Sequence, residues 1–247
     1  MVEAAAKTPE LPDIITLLAE HFKGNSLLQW LYRWEFVVYA LLVVVVVSSL
    51  AHLATRKATD IPGRLQNIFE VLVGGLDDFV CGILGPSGRR YTPFIGTLFV
   101  YILCMNIFGL IPFLKPPTAS WSTTLALALC VFFYVQYTAL KYLGVRGYID
   151  HLAGRPRGVL LWSIILPVFM FCLHVVTELL KPLSLSLRLR SNIWGDDLLL
   201  AVFAGLGLKG FPFLFFNMSL ALMTALIQTL VFTLLSAIYF AIVLEHD

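Results

Sequence analysis

The chain has 247 residues, 59% of them hydrophobic and only 13% charged, with a formal net charge of +2. A soluble domain carries about 25% charged residues, so this composition, with a mean hydropathy of +0.87, excludes a water-soluble globular protein and points to a membrane. No basic block resembles a nucleic-acid footprint, so no nucleic-acid partner is expected. Cys81, Cys104, Cys130 and Cys172 lack C-x-x-C spacing and read as small apolar residues rather than metal ligands or disulfides.

Residues 1–35 mix acidic and basic side chains and lack a signal-peptide pattern. Within them Leu11, Ile14, Ile15, Leu17, Leu18 and Phe22 recur at helical spacing, which predicts a short amphipathic helix on a membrane surface. Residues 36–54 form the first clear span. Residues 61–84 carry an apolar face interleaved with Arg64, Asn67, Glu70, Asp77 and Asp78, which predicts an interfacial helix. Further spans are predicted over 94–113, ended by Pro112, Pro116 and Pro117, and over 123–143. From 159 to 208 the chain is apolar, interrupted by Pro167, Lys181-Pro182 and Asp196-Asp197. Residues 211–244 are apolar without a break. As a helix the last stretch is about 51 Å long against a hydrocarbon core of about 30 Å, so it must tilt or bend. Two long tilted helices joined near Lys209-Gly210 account for the excess length of both stretches. The expected fold is an all-α integral membrane protein of about five crossings with added interfacial helices, its single membrane domain covering 36–247.

Basic residues orient it. The loops after the first and third spans hold Arg56, Lys57, Arg64, Arg89, Arg90, Lys141, Arg146, Arg155 and Arg157, whereas the opposite side holds Lys115 and Lys209. The first set is expected inside, with the N-terminal segment outside and Glu245-His246-Asp247 cytoplasmic.

Arg188 is the exceptional residue. An arginine near the centre of a bilayer helix costs about 2.5–3.5 kcal/mol even on lenient scales, and its guanidinium keeps its proton. The default reading is a functional site with a negatively charged partner, in this chain or another. His174, Glu178, Lys181, Arg188, Asn192 and Asp196 fall roughly on one helical face. The stripe is about 33 Å long, the depth of a membrane core. A titratable column of that depth suits a proton path, and a fixed cation at its middle would divide the path in two. On the last helix Asn217, Ala221, Thr224, Gln228, Leu235 and Tyr239 form a facing set, with Gln228 an uncharged partner for a guanidinium. Such polar residues also serve as interhelical glue, and Lys181 could simply snorkel to the interface.

Other functions find less support. His174 and Glu178 are not accompanied by the further histidines of a zinc hydrolase, and Gly205-Leu206-Gly207-Leu208-Lys209-Gly210 lacks the ending of a P-loop. The chain alone is therefore not expected to bind or hydrolyse ATP, and no cofactor is implied. A secondary transporter with an anionic substrate at Arg188 is the rival reading. It predicts an internal repeat, and residues 36–143 contain no counterpart of Arg188.

The stretch from Lys181-Pro182-Leu183-Ser184-Leu185-Ser186-Leu187-Arg188-Leu189 to Asn192 resembles the signature of subunit a of F-type ATP synthases. Asn106-Ile107-Phe108-Gly109-Leu110-Ile111-Pro112, the run from Thr123 to Leu129, and Leu226-Ile227-Gln228 through Tyr239 are similar to further blocks of that family, in the same order. The resemblance implies an Fo subunit with two proton half-channels beside the ring of subunit c, and with the peripheral-stalk subunit b and the bilayer as further partners. Arg188 would match the essential arginine facing the ring carboxylate, Gln228 the glutamine packed near it and Asn192 the asparagine four residues on. His174 and Glu178 would then line the inner half-path, and Asn192, Asp196 and Asp197 the outer one.

Four positions depart from the family pattern. Arg190-Ser191 stands where Phe-Gly is usual, His174 where a glutamate is common, and Ala221 where the acidic residue's partner would fall. Arg190, about 200° around the helix from Arg188, is expected to pair with Asp197 or Asp196 instead of facing the ring. The start of the chain and its outward orientation favour a bacterial plasma membrane over an organelle inner membrane.

Overall fold

The computed structural model describes residues 34–56, 63–111, 114–152 and 162–244. The amphipathic helix expected at 11–22, the basic residues Lys57, Arg155 and Arg157, and the C-terminal tripeptide lie outside them. The regular elements among the described residues are all helical: α1 Glu35–Thr55, α2 Arg64–Leu84, α3 Thr92–Phe108, α4 Trp121–Leu152, α5 Trp162–Gly205 and α6 Phe211–Leu244. Short 3-10 turns at Pro86–Arg90, Pro117–Ala119 and Gly207–Gly210 link them.

Among the described residues four segments are long and apolar enough to cross a membrane: α1, Trp121–Tyr142 of α4, Phe169–Phe203 of α5, and α6. α3 is equally apolar but has 17 residues, about 25 Å of helix. It stops short of the expected 94–113 because the chain folds back at Gly109. A Cβ there would sit 2.6 Å from the Pro116 side chain, so only glycine permits the close approach. α4 breaks at Gly144, whose φ of 66° is left-handed, at the end of the expected third span. The protein is thus an all-α membrane protein of four long spans and a shorter apolar fifth helix.

α3 runs through the centre. Ile95, Leu98, Ile102 and Met105 recur at three- and four-residue steps and are buried, on a helix that packs against α1, α2 and α6. Helix association in lipid gains little from hydrophobic burial and relies on close contact. Small buried residues of α6, namely Ala225, Ser236 and Ala237, supply it. At one end of the bundle Tyr91, Phe94, Tyr134 and Phe240 form an aromatic cluster, with centroids 4.5 to 6.3 Å apart. At the other end Lys115 pairs with Glu35 at 3.4 Å and Tyr39 meets Phe108. α5 has 44 residues and α6 has 34, about 66 and 51 Å, so both fit a 30 Å core only when tilted or bent. They pack against each other, and α5 also lies along α4.

Candidate functional site

The polar residues of α5 occupy three levels. At the middle, Leu185, Ser186 and Leu189 are buried in the bundle while Arg188 is exposed, directed away from the packed side. Among the described residues Arg188 takes part in no ion pair. A permanent cation therefore stands on the outer surface of α5, beside exposed Leu187, while α6 also exposes Leu226, Ile227 and Leu230.

One level lies beyond it towards the Glu35–Lys115 end. Here Asn192 donates from Nδ2 to Oε1 of Gln228 at 2.7 Å. Gln228 is buried, and its Nε2 has no partner. Gln228, expected as an uncharged partner for the Arg188 guanidinium, has Asn192 as its hydrogen-bond partner here. Around this pair lies a cavity of about 50 Å³, lined by Asn106, Asn192, Asp196, Asp197, Thr224 and Gln228, with Ala221 in its wall. A single water needs about 10–15 Å³ and at least two polar partners, so the cavity can hold several. Behind it, Thr118 donates to Asn106 at 3.0 Å and Asn106 donates to Thr229 at 3.3 Å, tying a 3-10 turn, α3 and α6 together. Asn217, also buried, lies one turn before Ala221 on α6, with its Oδ1 unpartnered.

The third level lies on the aromatic-cluster side. Lys181 forms an ion pair with Glu178 and sits 5.2 Å from the centroid of the Tyr239 ring. Gln136 of α4 donates from Nε2 to Oε2 of Glu178 at 2.9 Å. Glu178, Lys181, Pro182 and Tyr239 line a second, smaller cavity of about 10 Å³. Pro182 has no N–H to offer the Glu178 carbonyl, so the helical ladder is interrupted beside this cavity. Lys181 therefore does more than snorkel.

The structure brings Asn192, Asp196, Asp197 and Gln228 together, and separately Glu178 with Lys181. His174 stands one turn before Glu178, its Nδ1 3.0 Å from the Met170 carbonyl, and does not line the small cavity. Arg190, expected to pair with Asp197 or Asp196, has its guanidinium carbon 5.3 Å from the Trp121 ring centroid. Gln136 and Thr118 escaped sequence reasoning. Gln136 carried one signal, a lone carboxamide in an apolar span. Among the described residues no three His, Cys, Asp or Glu side chains gather as a metal site.

The fold and site define a multi-pass membrane protein whose long helix α5 carries Glu178 and Lys181 to one cavity and Asn192, Asp196 and Asp197 to another, with the exposed Arg188 between them. Residues 37–241 match the family model described as ATP synthase A chain. The chain is 40% identical over 250 residues to "ATP synthase subunit a" of Protochlamydia amoebophila, covering 98% of this chain and 92% of that one. It is 37% identical over 237 residues to the subunit a of Oleidesulfovibrio alaskensis, covering 96% and 95% of the two chains. It is 38% identical over 207 residues to "ATP synthase subunit a 3" of Pelobacter propionicus, covering 83% and 85%. The chain belongs to the ATP synthase A chain family, the proton-translocating membrane subunit of the Fo sector.

Proposed function

We propose that this chain forms two proton half-channels that meet a ring of c subunits at Arg188. One observation carries the reading: two cavities, each reached by titratable side chains, lie at different levels of α5, with the exposed Arg188 between them and lining neither. From Glu178 to Asp196 the separation is about 27 Å of helix. A proton reaching one cavity has no polar route past a fixed guanidinium to the other. It must load a carboxylate on the ring, ride round and leave through the second cavity.

In this reading Asn192, Asp196, Asp197 and Gln228 serve the outer path, with Asn217 a polar residue one turn further along α6. Glu178, with His174 one turn towards the inner surface, serves the inner path. Lys181 is the counter-charge of Glu178. Arg188 attracts each ring carboxylate and blocks the short circuit; a point ammonium would lack its planar fork and can lose a proton when desolvated. The ATP chemistry belongs to other subunits, so this chain is not itself an enzyme.

The basic residues Arg56, Arg64, Arg89, Arg90 and Lys141 support a cytoplasmic location for the aromatic-cluster end, with the N-terminal segment of 1–35 outside and the C-terminus inside a bacterial plasma membrane. α2 lies along the inner interface: Leu76 and Val80 pack into the bundle while Ile68, Val71 and Val73 are left exposed for lipid. Subunit b of the peripheral stalk is the remaining partner. The decisive experiment is ATP-driven proton pumping in vesicles carrying Arg188→Ala in an assembled complex. Pumping at the normal rate refutes the reading.

A further inference from the structure

Each oxygen of the Glu178 carboxylate has its own partner. Lys181, three residues on in the same helix, takes Oε1, and Gln136, on a different helix, takes Oε2 at 2.9 Å. An i, i+3 partner moves with its own helix and cannot fix a side chain relative to the rest of the bundle. Gln136 can, because it belongs to the neighbouring helix α4, which also packs against α6 and whose Val135 and Ala139 are buried. Gln136 itself is half-buried in an apolar span, where a carboxamide without a partner is costly. Its donor is spent on a residue of the small cavity, while Val135 and Phe132 from the same helix form the cavity wall. The other charged or titratable groups of this cavity are Lys181 and Tyr239.

We infer that Gln136 is the positioning residue of the inner proton path: it holds the Glu178 carboxylate across the α4–α5 seam, so that the carboxylate lines the cavity. Lys181 balances its charge, and Gln136 fixes its place. This inference rests on the proposed role of Glu178. It requires that one carboxylate and one carboxamide face each other across the seam, whichever helix carries which. Replacing Gln136 by an apolar residue frees the carboxylate to swing away. Replacing it by glutamate sets two carboxylates against each other.

The test is ATP-driven acidification of inverted vesicles by the whole ATP synthase, with assembly checked by co-purification of the c ring. A hydrogen bond to a charged group sets the expected scale, so Gln136→Leu, Gln136→Glu and Glu178→Gln each slow pumping by about tenfold. The exchange Gln136→Glu with Glu178→Gln keeps the pair and restores pumping to within about threefold of the parent. A merely structural role for Gln136 would not yield that rescue. Normal pumping in Gln136→Leu, or an exchange no better than its single variants, overturns the inference while leaving the role of Glu178 intact. Normal pumping in Glu178→Gln beside a dead Arg188→Ala removes Glu178 from the path, and the inference falls with it.

Discussion

Asn192 and Gln228 are joined by a 2.7 Å hydrogen bond between α5 and α6, one helical turn from Arg188 along α5. The bond uses one lone pair of the Gln228 oxygen, and the Gln228 Nε2 is a buried donor without a partner in the wall of the larger cavity. The Gln228 oxygen keeps a second lone pair, and its bond to Asn192 ties the two long helices together one turn from the Arg188 guanidinium.

The first prediction concerns this pair. Gln228→Leu removes the acceptor and leaves the half-buried Asn192 amide facing an apolar side chain. A buried polar group deprived of its partner costs about 1–3 kcal/mol. ATP-driven pumping is expected to fall about tenfold, while Asn192→Leu combined with Gln228→Leu recovers part of the loss, since both partners are then apolar. Additive losses in the double variant would show that the two residues act separately.

Arg188 is expected to be indispensable. Arg188→Ala should reduce ATP synthesis driven by an imposed proton gradient to background, with the complex still assembled, because the residue is exposed and supports no packing. Arg188→Lys should fail largely too, for want of the planar, permanently charged fork. The measurement is synthesis in reconstituted vesicles.

The two cavities predict opposite accessibility. In a background lacking Cys81, Cys104, Cys130 and Cys172, a cysteine at Glu178 should react with a membrane-impermeant thiol reagent added from the cytoplasmic side. A cysteine at Asp196 or Asp197 should react only from the outer side. The cysteine at position 174 should react from the inside as well, though less dependably, since His174 does not line the small cavity. The reverse pattern would invert the topology.

Much of this was legible in the sequence. α6 begins at Phe211 and ends at Leu244, where the unbroken apolar run begins and ends, and α4 breaks at Gly144, at the close of the expected third span. These features are local, fixed by apolar runs and a glycine. α3 was overcalled by several residues because its end is set by the approach of Gly109 to Pro116, a contact that hydropathy does not register. At the candidate site, helical spacing placed Arg188, Asn192 and Asp196 along one face. It could not foresee that Asn192 would donate to Gln228, that Gln136 would reach Glu178 from 42 residues away, or that Arg190 would meet Trp121. All three pairings are between helices, and they depend on relative tilt and register rather than on any single helix's periodicity.

Arg190 supplies the last prediction. Two arginines within three residues look redundant, yet they differ in surroundings. Arg188 is exposed and unpaired among the described residues, whereas the half-buried Arg190 lies over the first residue of α4, the indole of Trp121. A guanidinium over an indole gains about 0.5–2 kcal/mol, more as water is excluded. That offsets part of the expense of a cation in this setting. A flat apolar ring can occupy the same space, so Arg190→Phe should retain most ATP-driven pumping and keep the α4–α5 contact as an aromatic pair. Arg190→Ala removes the partner of Trp121 without replacing it and should cost more stability than Arg190→Phe, seen as a lower temperature for loss of the assembled complex. Trp121→Ala should cost a similar amount and should add nothing once Arg190 is alanine. If Arg190→Phe is as inactive as Arg188→Ala, Arg190 takes part in transport directly and its contact with Trp121 is incidental.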